Sequence, residues 1–174
     1  MNIEEKRKQR RKQTAEVFTP NFLAQQMLDK IPDDFWKDEN KTLLEPACGD
    51  GIFVELSIIK RLKYKQSLNK VIHNTYALDI MNDNIMECRK RIIDNVIIKI
   101  LNHYLSKGKI NKAKYNGKLI ELVAILCHNI RKTKDTLQED FDKWKTWNEE
   151  SESMQTYLKK QVEDNLKKKH YLLT

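Results

Sequence analysis

Eight consecutive residues constrain this chain most: Leu44-Glu45-Pro46-Ala47-Cys48-Gly49-Asp50-Gly51. Only four glycines occur among 174 residues, and two of them stand here. Before them, Thr42-Leu43-Leu44-Glu45 reads as a short buried strand. After them, Ile52 to Leu62 reads as a helix with Phe53, Leu56, Ile59 and Leu62 inward. Glycine lets the backbone turn sharply and approach a ligand with no Cβ in the way. The helix start that follows offers free N–H groups and a positive dipole end. Glu45, closing the strand, is an acid placed to hold a cationic amine. A Gly-x-Gly is equally a plain structural turn, so its chemistry depends on what accompanies it.

The next strand, Thr75-Tyr76-Ala77-Leu78-Asp79-Ile80, also ends on an acid. In a dinucleotide-type fold such an acid hydrogen-bonds ribose hydroxyls about 20 residues after the glycines. The spacing here is somewhat longer, because a polar connection from Lys63 to Asn74 intervenes. A turn or helix-capping role is the plainer reading of Asp79. From Asn82 a long helix is predicted with Ile85, Cys88, Ile92, Val96 and Leu101 on one face, stopped by Lys107-Gly108-Lys109. Leu119 to Cys127 has helical spacing with strand-like composition; it is read as a helix leading into a short strand near Asn129-Ile130-Arg131. Upstream, Pro20 opens a helix whose apolar face is Phe22, Leu23, Met27, Leu28 and Ile31. Downstream of Leu137 the chain reads as helical. Phe141, Trp144 and Trp147 seat one face there, and Met154, Tyr157, Leu158, Val162 and Leu166 form the stripe of a last helix. The strand–helix alternation predicts an α/β fold, a parallel sheet covered by helices. Ligands in such sheets sit beyond the carboxyl ends of the strands, where both loops lie.

Charge and cysteine usage narrow the surroundings. Cys48, Cys88 and Cys127 are isolated, with no Cys-x-x-Cys pair, and His73, His103, His128 and His170 are dispersed, which argues against a disulfide framework or a metal site. No apolar run approaches the ~20 residues of a membrane span, and the N-terminus lacks a signal-peptide core, so a cytosolic setting without membrane partners is expected. The net charge of +8 suits a polyanion such as DNA, and equally a lysine-rich solvated surface. Its densest cluster is a basic arm of Lys6, Arg7, Lys8, Arg10, Arg11 and Lys12; Lys167, Lys168 and Lys169 form a second.

Taken together, the motifs resemble a known family. Glu16-Val17-Phe18-Thr19-Pro20, with Leu23-Ala24 and Met27-Leu28, resembles the opening motif of N6-adenine-specific DNA methyltransferases, including the modification subunits of type I and related restriction systems. Leu44 to Gly51 is similar to that family's glycine-rich cofactor motif. Ala77-Leu78-Asp79-Ile80, with Asn84, Cys88 and Arg89 beyond, resembles its ribose-binding region, and Asn129-Ile130 with Asp135-Thr136-Leu137 its adenine-contacting region. The resemblance implies a Rossmann-like fold binding S-adenosyl-L-methionine. It places Phe18, Thr19 and Pro20 over the methionine end, with Thr19 at the carboxylate. Glu45 would face the amino group; Pro46, Ala47, Cys48, Gly49 and Gly51 would line the pocket. Asp79 would take the ribose hydroxyls, Ile80 would lie against the adenine ring, and Asp135 would accept from the adenine amino group.

The chain departs from the family pattern at the catalytic loop. Family enzymes carry an Asn-Pro-Pro-Tyr type loop that holds the flipped adenine. This sequence has Pro20, Pro32 and Pro46 and none after, so it holds no version of that loop. Three segments are expected: a basic arm (1–15), a cofactor-binding methyltransferase-like domain (16–136) and a helical tail (137–174). The expected function is an adenine-N6 methyltransferase-like protein in DNA modification. It would act alone through an unrecognised loop, as one part of a split enzyme beside a second subunit, or as a non-catalytic decoy or regulator.

Overall fold

The computed structural model describes Glu5, residues 18–135 and residues 144–167. The basic arm, Glu16, Val17, Thr136, Leu137, Phe141, Lys168 and Lys169 lie outside these residues. In chain order the elements are α1 (Asn21–Leu28), α2 (Asp33–Lys37), β1 (Leu43–Glu45), α3 (Ile52–Lys63), α4 (Leu68–His73) and β2 (Thr75–Asp79). Then come α5 (Asn82–Ile92), a π turn (Ile93–Ile97), α6 (Ile98–Ser106), α7 (Lys112–Asn129), β3 (Ile130–Lys132), a 3₁₀ turn (Trp147–Glu149) and α8 (Glu152–Lys167).

The sheet has three strands in the order β1-β2-β3. Both pairings are parallel, with Leu43 opposite Thr75, Ala77 opposite Ile130 and Asp79 opposite Lys132. Parallel strands need helical crossovers, and α3–α4 and α5–α7 supply them. The fold is thus α/β, a small parallel sheet with flanking helices, as the strand–helix alternation predicts. β2 is buried at all five positions, as expected of the central strand in a covered parallel sheet.

Most of the core lies behind β2 and β3. Ile85, Cys88, Ile92, Val96 and Leu101 are all buried as their spacing predicts. The π turn between α5 and α6 carries Ile93 and Ile97 inward as well, because one extra residue in the turn shifts the apolar face. In α7 the run Leu122 to Cys127 is buried without interruption. Residues predicted as helix then strand here are so: α7 continues directly into β3. Trp147 and Val162 join the same core, with Leu158 and Leu166 against it.

Six expectations are corrected. β1, expected to be a buried strand, is half-buried at Leu43 and Glu45 and exposed at Leu44, because it lies at the edge of the described sheet. Residues 144–151, expected to be helical, hold only the 3₁₀ turn Trp147–Glu149, which seats Trp147 in the core before α8 begins. In α1 the buried residues are Ala24 and Leu28, while Phe22 (67%), Leu23 (40%) and Met27 (49%) are exposed. The helix is held to α3 by its small face, and Lys60 Nζ donates to Leu28 O and to Asp29. In α3 the fully buried apolar residues are Ile52, Val54 and Ile58, with Phe53, Leu56, Ile59 and Leu62 only half-buried. This helix packs against neighbours on more than one side, so its inner face is wider than one stripe. The connection from Lys63 to Asn74 contains α4, whose N-cap Ser67 accepts from Lys70 N–H and which buries Leu68, Val71 and Ile72. In α8, Met154 and Tyr157 point to solvent and only Val162 is fully buried.

Candidate functional site

The glycine turn is built by three neighbours. Cys48 N–H donates to Leu78 O at 2.8 Å, which carries the β1–β2 pairing one step past the strand and pins the loop to β2. Gly51 N–H then donates to Cys48 O at 2.8 Å, closing the turn. Gly49 and Gly51 take φ of +51° and +85°, the left-handed region where glycine carries no Cβ penalty. A Cβ on Gly51 would lie 2.6 Å from Cys88 Sγ and 2.8 Å from Cys88 Cα, so only glycine lets the loop rest on α5. A Cβ on Gly49 would instead stand 3.7 Å from the Phe18 ring, in ordinary contact. Phe18 therefore lies over the glycine turn at Gly49.

Asp79 ties the second strand to this turn. One carboxylate oxygen accepts from Gly49 N–H at 2.9 Å. The other accepts from Met81 N–H at 2.8 Å and from Asn84 Nδ2 at 3.2 Å. Its side chain is buried, and Thr133 N–H donates to its carbonyl at 3.0 Å. A carboxylate offers about four acceptor positions, so three donors leave room for one more, the number a single ribose hydroxyl needs. Asp79 is thus both the turn-holding residue of the plain reading and an acceptor at the sheet edge.

The opposite wall is acidic and basic in alternation. Arg91, near the end of α5, donates through Nε to Asp50 O at 2.8 Å, through Nη2 to the Asp50 carboxylate at 2.9 Å and through Nη1 to Glu55 at 2.9 Å. Burial lowers the pKa of the Arg91 guanidinium, but the hydrogen bonds and charges of Glu55 and Asp50 outweigh it and hold the group above its ordinary value. Glu45 stands at the end of β1, where its Oε1 accepts from Ala47 N–H at 3.2 Å. Burial raises its carboxyl above the usual range, only partly opposed by that bond. A cationic group arriving beside it would relieve the cost. The Cys48 thiol is pushed far up by its hydrogen bond with Cys88 and by burial, which makes it an inert wall rather than a nucleophile.

The remaining expected residues are placed with less contact. Pro20 caps α1, and its carbonyl accepts from Leu23 and Ala24 N–H. Thr19 is half-buried between it and Phe18, and Pro46 and Ala47 are exposed on the loop. Ile80 is 53% exposed at the edge where the resemblance seats an adenine ring. Asp135 follows β3 at the same edge, with β2 between it and the glycine turn. Arg91 is not singled out from sequence, because its partners Asp50 and Glu55 lie far away in sequence and no local pattern marks the pairing. Arg89 is itself buried, donating to Cys127 O and Ile130 O and stapling α5 to β3.

Glu45 and Asp79 are thus acids at the carboxyl ends of adjacent strands, on either side of the pairing that the glycine turn extends. Among the described residues no group of three or more His, Cys, Asp or Glu side chains is placed to hold a metal ion. No described helix is long and apolar enough to cross a membrane. Comparison with known protein families, with curated proteins and with solved structures finds no match.

Proposed function

We propose that this chain binds S-adenosyl-L-methionine at the carboxyl edge of its sheet and serves DNA adenine-N6 methylation as the cofactor-holding part of the enzyme. The observation that carries the reading is the bond from Gly49 N–H to the Asp79 carboxylate. It joins a glycine turn at the end of one strand to an acid at the end of the next, both set where open α/β sheets bind ligands. The residues fit the cofactor in charge and shape. Asp79 accepts from the ribose, Glu45 faces the amine, and Gly49 and Gly51 let the backbone approach. Phe18, Thr19 and Pro20 cover the methionine end. Ile80 offers an exposed apolar face for the adenine, and Asp135 would take its amino group. Bound there, the cofactor would supply an electrophilic methyl group.

The strand order supports a divided enzyme. Leu43 N–H donates toward β2, to Asn74 O, so the N–H and C=O of Leu44 turn to the other side of β1. Among the described residues β1 ends the sheet there, and Leu44 is 39% exposed. In doubly wound sheets the binding crevice lies where the strand order reverses, beyond the first strand. The wall on that side, and a loop able to hold a flipped adenine, would then come from a polypeptide segment outside these 174 residues. Without such a loop the cofactor's methyl has no aligned acceptor. A second reading is a cofactor-binding regulator of a modification system.

Tritium transfer from labelled cofactor into unmethylated DNA separates these. No transfer by the chain alone and transfer with an Asn-Pro-Pro-Tyr-bearing subunit is the result expected. Transfer by the chain alone would overturn the divided enzyme. Cofactor binding without transfer under either condition would leave the regulator.

A further inference from the structure

The glycine turn touches α5 at two places of different character. At Gly51 the contact is steric: Cys88 stands where a Cβ would be. At Asp50 it is polar: the Arg91 guanidinium spans the Asp50 carbonyl, the Asp50 carboxylate and the Glu55 carboxylate, all at 2.8–2.9 Å. Asp50 is the residue between the two glycines, and Glu55 lies in the first turn of α3. One side chain therefore grips the loop's middle and the start of the helix that follows it. The guanidinium suits this because its five donors lie in a fixed plane, whereas an ammonium is a single point of charge. All three groups are largely shielded, with side-chain exposures of 26% for Arg91, 13% for Asp50 and 11% for Glu55. Ion pairs so placed are screened less than surface ones.

We infer that Arg91 is the positioning residue of the candidate cofactor loop: it fixes the Gly49–Gly51 turn from α5 without itself touching ligand. Only the affinity arm of its test rests on the proposed cofactor reading. Gly49 and Gly51 belong to a set of four glycines, with Gly108 and Gly117 elsewhere in the fold. Glycine-selective ¹⁵N labelling thus gives a four-line amide spectrum with two reporters and two internal controls. In Arg91→Gln without ligand, the Gly49 and Gly51 resonances are expected to shift or broaden while Gly108 and Gly117 stay. Arg91→Lys should restore part of the wild-type positions, since an ammonium keeps the charge but lacks the planar fork that spans all three acceptors. Affinity for S-adenosylhomocysteine, by calorimetry, should fall about tenfold in Arg91→Gln, the scale of one lost charge-assisted hydrogen bond. If Arg91→Gln unfolds the chain, Glu55→Gln, which keeps the Asp50 pair and is not a chain neighbour of either glycine, must give a smaller shift of the same two lines. Unmoved Gly49 and Gly51 lines in a folded variant overturn the inference. Selective shifts in a protein whose wild type binds no cofactor would leave the positioning role standing and overturn the cofactor reading instead.

Discussion

The sheet edge and the helical layer of this protein are held together by different forces. At the edge, the turn from Cys48 to Gly51 rests on a few directional contacts: one carboxylate, one guanidinium and two backbone bonds. In the layer, α7 buries Leu122 to Cys127 in an unbroken run against α4, α6 and α8, where packed apolar surface predominates. Directional contacts can be exchanged with a ligand's groups, whereas close-packed apolar surface cannot be rearranged without losing stability. On the proposed reading the contrast assigns stability to the layer and binding to the edge.

The largest effect should come from breaking the layer. Ile125 is fully buried, and Ile125→Ala is expected to cost roughly 2–5 kcal/mol in urea unfolding, from lost burial plus the cavity left behind. Cofactor affinity of the folded protein should stay within about twofold, because distant sites act nearly independently. A matching loss of affinity would mean that layer and edge are one cooperative unit. Next is Gly51→Ala, where a Cβ meets the backbone of Cys88 at 2.8 Å with φ at +85°. Strain and overpacking together should cost roughly 2–4 kcal/mol, and binding should be lost as well. Stability lost with binding intact would show that the turn is structural only.

The smallest effect is electrostatic. Burial raises the Glu45 carboxyl, so the folded protein keeps that proton to higher pH than the unfolded chain does. Its contribution to stability is complete below the usual carboxylate range and is lost as pH rises through the raised folded value. Glu45→Gln keeps an acceptor for Ala47 N–H. It is expected to match wild type at about pH 3.5, below the ordinary Glu value, and to exceed it slightly near neutrality. Urea midpoints at the two pH values check this. A variant less stable than wild type at neutral pH would mean that Glu45 sits in an ion pair rather than an uncompensated site.

Much of this contrast was legible in sequence, and the parts that were not share a cause. The run Leu43–Glu45 into Gly49 and Gly51, and the strand ending on Asp79, are local patterns; each strand is where its pattern predicts, though only β2 is buried and β1 is not. The stripe Ile85, Cys88, Ile92, Val96 and Leu101 held across a π turn because apolar spacing survives one inserted residue. What failed depends on tertiary partners. Phe22 and Met27 look like a core face, yet the face that packs on α3 is the small one, Ala24 with Leu28. The partners of Arg89 and Arg91 lie some forty residues away in sequence, at Ile130 and Asp50, where no local pattern marks them. The short helices α2 and α4 and the first turns of α7 carry local signals of their own: in α4, Leu68, Val71 and Ile72 behind Ser67 have helical spacing and a cap, under a surface rich in lysine.

The central claim is that the edge joined by Gly49 and Asp79 is a cofactor site, and isothermal titration with S-adenosyl-L-methionine tests it most directly. Wild type is expected to bind in the micromolar range, about −8 kcal/mol. Asp79→Ala should weaken binding by roughly 1–3 kcal/mol as charge-assisted bonds are lost. No heat from wild type at millimolar ligand would contradict the account, and so would binding that Asp79→Ala leaves unchanged.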